Sequence, residues 1–247
     1  MVTGAANGIG LAIALALNRS GASVVLADLD EAAGTAVAGE LDRTVFWRAD
    51  VSSLEDCRAL MAYAEHTLGG IDILVNNAGV QHVSSIEEFP EEQWESMLRL
   101  MLTGPFVLMK YALPGMYARG WGRVINISSV HGLVASPFKS AYVAAKHGLI
   151  GLTKTAALEA GDQGVTVNAI CPSYVRTGLV ERQLADQART RGISEDQVIK
   201  EVMLAPAAIK RLLDPAEVAA YALFLCSGAG AGITGASQVI DCGWTAE

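Results

Sequence analysis

Short, apolar, β-branched runs alternate with longer helical stretches along nearly the whole chain, and this alternation leaves few folds open. Ser23 to Ala27, Thr44 to Arg48, Ile71 to Asn76, Arg123 to Ile127, Thr166 to Ile170 and Ser237 to Ile240 read as strands. Helices are predicted at about 9–20, 30–41, 52–68, 91–118, 140–161 and 214–227. Strands separated by helices cannot pair through tight hairpins. They must run parallel, and right-handed crossovers then place helices on both faces of the sheet. The expected fold class is α/β, a doubly wound parallel sheet of the Rossmann type. With 247 residues, 51% of them hydrophobic and 18% charged, the chain has core enough to form one domain over 1–247.

Four local features qualify this outline. Only Met1 and Val2 precede Thr3, so either the first strand is unusually short or upstream residues are missing. Leu11 to Leu17 has the look of a signal core, but no basic segment precedes it. Asn18, Arg19 and Ser20 end it too early to span a membrane, and it reads as a buried helix. Pro105 predicts a kink or bend in the fourth helix. Pro172 to Arg211 is polar, mixed in charge and the least regular stretch, and an excursion of that length predicts a substrate lid at about 172–211.

Composition excludes several functions. A net charge of −8 argues against nucleic acid as a partner. Cys57, Cys171, Cys226 and Cys242 form no C-x-x-C pair, and with His66, His82, His131 and His147 they give no zinc signature, so no metal is expected. Reduced thiols fit a cytoplasmic protein.

A Gly-rich turn, TGAANGIG, spans Thr3 to Gly10. It puts flexible backbone at a helix mouth, where free amides and the positive dipole end attract pyrophosphate, which makes Gly4, Asn7, Gly8, Ile9 and Gly10 candidate cofactor contacts. Asp28, at the end of the next strand, can accept from ribose hydroxyls and would repel a 2′-phosphate. That favours NAD over NADP, although a strand-end turn would equally explain Asp28 or Asp30. Asp50-Val51 and Asn77-Ala78-Gly79 follow the third and fourth strands, where ligands collect in this fold. Asn-Asn-Ala-Gly is also a good turn sequence in its own right.

The remaining chemistry lies in Ser129, Tyr142 and Lys146. On a helix, Tyr142 and Lys146 share a face, so the ammonium can favour the phenolate. Alone, Tyr-x-x-x-Lys is an ordinary amphipathic face. With the Gly-rich turn and the upstream Ser it reads as a hydride-transfer site, the Tyr acting as general acid or base.

TGAANGIG, NNAG, Ser129, Tyr142-Val-Ala-Ala-Lys146 and the Pro172 to Thr177 segment, in this order, resemble the short-chain dehydrogenase/reductase family. The resemblance implies NAD(P)-dependent alcohol–carbonyl chemistry, with Ser129, Tyr142 and Lys146 catalytic. It also implies Lys146 on the nicotinamide ribose, Pro172, Val175 and Thr177 against the cofactor, and a homotetramer. NNAGVQH, SSVHGLVASPFKSAYVAAKHG, VRTGLVERQ and DCGWTAE are similar to segments of members acting on small 3-hydroxy acids. That similarity implies that Gln81, His131, Lys139 and Gln183 bind the substrate carboxylate, with Trp244 near the pocket. A small hydroxy acid offers little apolar area and must be held through its anion. Gln81, Lys139 and Gln183 are otherwise common surface residues, and Trp244 could anchor a core or an interface.

Two positions depart from the family pattern: Met101 stands where an Asn is usual, and Ser173-Tyr174 where Gly-Trp is usual. The competing functions are another short-chain reductase, for example one acting on 3-oxoacyl chains of a carrier protein, and a non-catalytic dinucleotide-binding protein. The first would need a basic docking patch, which the sequence does not display.

Overall fold

The strands are β1 (Val2–Thr3), β2 (Val24–Asp28), β3 (Thr44–Arg48), β4 (Ile73–Asn76), β5 (Gly122–Ile127), β6 (Val165–Pro172) and β7 (Ser237–Ile240). They form one sheet in the order β3-β2-β1-β4-β5-β6-β7, every neighbouring pair parallel. This structure, a computed structural model, describes residues 1–246, apart from the side chains of residues 179, 182, 183 and 190. The helices are α1 (Gly8–Arg19), α2 (Glu31–Gly39), α3 (Leu54–Leu68), α4 (Glu91–Leu98), α5 (Gly104–Arg119), α6 (Ser140–Ala160), α7 (Gly178–Arg191), α8 (Glu195–Gln197) and α9 (Pro215–Cys226).

Successive strand residues point to opposite faces, and both faces are covered, which is why the strands read as continuous apolar runs. On one face Val25, Leu74, Val124 and Val167 pack with Leu60 of α3 and Leu108 and Met116 of α5. On the other, Val24, Leu26, Val75 and Ile125 pack with Ile13 and Leu17 of α1 and Val218 and Leu225 of α9. The strand order reverses between β1 and β4, so the crevice beyond their carboxyl ends is where this architecture takes a ligand. β1 spans two residues, yet it pairs on both sides, Val2 facing Leu26 and Val75.

The predicted helix 91–118 is two helices. Between α4 and α5 lies a π-helical turn, Arg99–Thr103. Pro105 has no N–H to give the Met101 carbonyl four residues back, so the α ladder cannot run through, and Gly104 N donates instead to the Arg99 carbonyl. The stretch read as least regular is largely helical, holding α7, α8 and a π turn at Val198–Met203. Val180, Leu184 and Ala188 recur at helical spacing and pack with Val198, Met203 and Tyr174, a small apolar stripe masked by the many charges around it. Among the described residues no helix is long and apolar enough to cross a membrane.

Candidate active site

A cleft of about 260 Å³ opens beyond the carboxyl ends of the strands, and most of the residues singled out from sequence line it. Its floor is a stitch between the turns after β1 and β4. The Asn77 and Ala78 amides donate to Thr3 Oγ1 at 3.0 and 3.1 Å, while Asn77 Nδ2 donates to the carbonyls of Thr3 (3.0 Å) and Gly4 (2.9 Å). Gly4 sits at φ +60°, where a Cβ would lie 2.9 Å from Ala78 Cα, so only glycine fits. Gly10 is not a lining residue. It faces inward, where a Cβ would fall 2.1 Å from the Gly4 carbonyl, so its part is to let α1 seat against the turn.

Gly4, Asn7, Gly8 and Ile9 line the cleft at the mouth of α1. The Asn7 side chain makes no capping bond and the first turn carries no acidic residue, so the helix amides and dipole face the cleft uncompensated. A pyrophosphate fits there. Asp28 lines the far end, its Oδ2 accepting from Ala6 N at 2.9 Å and its Oδ1 from Asp30 N at 3.1 Å. These bonds fix the carboxylate and leave it lone pairs for a further donor. Asp30, the rival from sequence, is spent on capping α2 through Ala33 N. Asp50 and Val51 follow β3 on the same wall, Asp50 held by Ser52, and Asn77, Ala78, Gly79, Pro172, Val175 and Thr177 complete the lining of this half. The donor set suits a dinucleotide.

At the other half, Ser129, Tyr142 and Lys146 converge. Ser129 follows β5, accepts from His131 N at 3.1 Å and hydrogen-bonds Tyr142. Lys146 is 3% exposed. Its Nζ donates to the Ile127 carbonyl at 2.7 Å and stands 5.5 Å from the Tyr142 ring centroid. Burial pushes the Tyr142 phenol up to about 12, with the Ser129 bond drawing it back in part, and burial brings the Lys146 ammonium down to about 8. Burial of the phenol outweighs what Lys146 supplies from over the ring, and the lowering expected from the sequence counted on the positive charge of an oxidised nicotinamide as well.

The anion-binding candidates gather beside this group. Lys139, just before α6, is 4% exposed, and burial, followed by the charge of Arg191, lowers its ammonium to about 8. Among the described residues no carboxylate lies within ion-pair distance of it. His131 is held neutral, its pKa lowered to about 3 chiefly by burial and then by Lys139, and its Nε2 has no hydrogen-bond partner among the described residues. Gln81 also lines the cleft, with its Oε1 unpartnered. Trp244 stands one layer back: its ring lies 5.6 Å from that of His131 and its Nε1 donates to the Met203 carbonyl at 3.1 Å. The side chain of Gln183 lies outside the described residues.

Sequence reasoning missed Tyr174 as a site residue. It lines the cleft, and Lys139 Nζ donates to its hydroxyl at 3.1 Å. Its only signal in the sequence was the Ser173-Tyr174 departure.

Met101 is fully buried with Met97, Ala141 and Ala145, under Gly79. Asn at this position would place an amide in that apolar cluster. Met101→Asn is expected to lower unfolding stability by roughly 1–3 kcal/mol in a denaturant titration. An unchanged midpoint and slope would show that the amide finds partners there.

The chain is similar to known proteins over nearly its full length. A family model described as Enoyl-(Acyl carrier protein) reductase matches residues 4–245. The chain is 51% identical over 253 residues to a D-beta-hydroxybutyrate dehydrogenase of Rhizobium meliloti, covering 100% of this chain and 98% of that protein. It is 46% identical over 251 residues to a D-beta-hydroxybutyrate dehydrogenase of Cupriavidus necator, covering 100% and 97%. A cyclohexanol dehydrogenase of Acinetobacter is 35% identical over 252 residues, covering 100% and 94%.

Proposed function

The chain belongs to the short-chain dehydrogenase/reductase family and is an oxidoreductase, and from that premise we propose that it interconverts D-3-hydroxybutyrate and acetoacetate with NAD. The observation that carries this reading is Lys139. A buried ammonium without a carboxylate partner is costly, and a small substrate that brings its own carboxylate supplies the missing charge. His131 Nε2 stands ready as a neutral partner for the same anion, and Gln81, whose Nε2 gives one N–H to the His82 carbonyl and keeps the other, is assigned with it, as is Gln183.

The dinucleotide, when bound, supplies the hydride acceptor and a positive charge near the phenol. The residues do the rest. Gly4, Asn7, Gly8 and Ile9 hold the pyrophosphate, Asp28 the adenosine ribose, and Lys146 the nicotinamide ribose. Ser129 polarises the substrate oxygen, and Tyr142 exchanges the hydroxyl proton. The 172–211 segment, Tyr174 included, closes the pocket as a lid. The enzyme works in the cytoplasm as a homotetramer, in ketone-body metabolism.

The test is NADH formation with D-3-hydroxybutyrate against its L enantiomer and longer 3-hydroxy acids, repeated with NADP. The D four-carbon acid with NAD is expected to be preferred by at least about tenfold over each alternative, the Asp28 charge opposing the extra phosphate. Faster turnover of the L enantiomer or of long acids would sink the substrate assignment. Equal use of NADP would remove Asp28 from its role.

A further inference from the structure

Lys139 is the cation on which the substrate reading rests, yet among the described residues no carboxylate lies within ion-pair distance of it. Its ammonium faces His131 from the segment after β5, Arg191 from α7 and Tyr174 from the segment after β6. His131 is neutral at physiological pH and Arg191 repels it. Tyr174 is the exception: its hydroxyl accepts from Lys139 Nζ at 3.1 Å, and the ammonium lies 5.1 Å from its ring centroid. We propose that Tyr174 is a positioning residue for the reaction, its hydroxyl holding the Lys139 ammonium charged and aimed into the cleft, ready for a substrate carboxylate.

A lysine side chain has four rotatable carbons and a strongly hydrated head, so without a fixed acceptor it would swing toward water. Tyr174 can serve because, with the excursion packed over the site, it is itself held in place. It is 9% exposed and packed against Val180, Val198 and Met203 of the helical excursion. Burial pushes the Tyr174 phenol up to about 12, offset only in part by the Arg191 charge and the buried Gln187 side chain of α7, so the hydroxyl keeps its proton. A phenol accepts one hydrogen bond from the ammonium and keeps its own proton to donate, so a carboxylate arriving beside Lys139 finds two donors. A phenylalanine would keep the packing and the π face but lose the acceptor. A tryptophan would offer a π face and a donor only.

This inference rests on the carboxylate reading for its kinetic consequence and is tested separately from it. In Tyr174→Phe, KM for D-3-hydroxybutyrate is expected to rise about tenfold with kcat changed less than about threefold, while KM for the uncharged methyl ester stays put. The alkaline limb of kcat/KM for the acid should move to lower pH by about one pH unit, because losing the acceptor disfavours the charged amine. The second readout needs no turnover. In lysine-labelled ¹⁵N spectra of the full chain, the Lys139 resonance, assigned by its loss in Lys139→Met, should titrate at lower pH in Tyr174→Phe and in Tyr174→Trp. An unchanged titration in both variants overturns the proposal. A wild-type protein that does not turn over the acid overturns the substrate reading, and the lysine resonance still decides on Tyr174.

Discussion

Tyr142→Phe is expected to lower kcat at least about a thousandfold, about 4 kcal/mol in the barrier, while cofactor affinity stays within about twofold. The mutation removes one hydroxyl from a side chain whose ring is otherwise retained, so the packing with Met97, Met101 and Ala141 survives. What is lost is the group proposed to exchange a proton with the substrate. Ser129 cannot replace it, because an alkyl hydroxyl is far too weak an acid to serve as general acid or base near neutrality. Steady-state rates and a separate cofactor titration check it. A variant keeping most of its kcat would remove Tyr142 from the chemistry.

Lys139→Ala is expected to lower kcat/KM for D-3-hydroxybutyrate at least about a hundredfold, about 2.7 kcal/mol. Breaking a buried charge pair typically costs roughly 3–5 kcal/mol, and His131, Gln81 and Gln183 recover part of it. An uncharged 3-hydroxy ester gains nothing from the ammonium, so the mutation should narrow the advantage of the acid over the ester, with NAD binding little changed. Equal proportional losses for acid and ester would make Lys139 a structural residue and withdraw the main physical support for a hydroxy-acid substrate.

The strands and most helices were legible because both sheet faces are buried, so that Val24 to Ala27 or Arg123 to Ile127 could not be mistaken for loop. Only ends moved, by a residue or two. The break at Arg99–Thr103 was half legible: Pro105 announces that the ladder must fail, but a π turn upstream of it depends on how α4 and α5 seat against α6. The 178–203 helices were hidden because few of their residues are apolar and many are charged, while the packing of Tyr174 and Met203 joins positions far apart in sequence. In the site, motif residues were legible because each has a local reason to be where it is. Tyr174 was not, because its worth lies in a hydrogen bond to Lys139, and no spacing in the chain encodes that meeting. The phenol's elevated pKa was equally invisible, since burial is a property of the whole fold.

The stitch between Asn77 and the Thr3–Gly4 carbonyls also has a kinetic side. Its bonds join residues 73 to 75 apart in sequence, so they form only after that length of chain has closed on itself, and the closure entropy must be met before the bonds repay it. During synthesis the Gly-rich turn therefore emerges long before its opposite wall, and a nascent chain ending in α3 presents half a floor. A dinucleotide selects the chain that has made the closure, and by mass action it holds the whole sheet together across the seam between β1 and β4, which the covalent chain crosses only by way of β2 and β3.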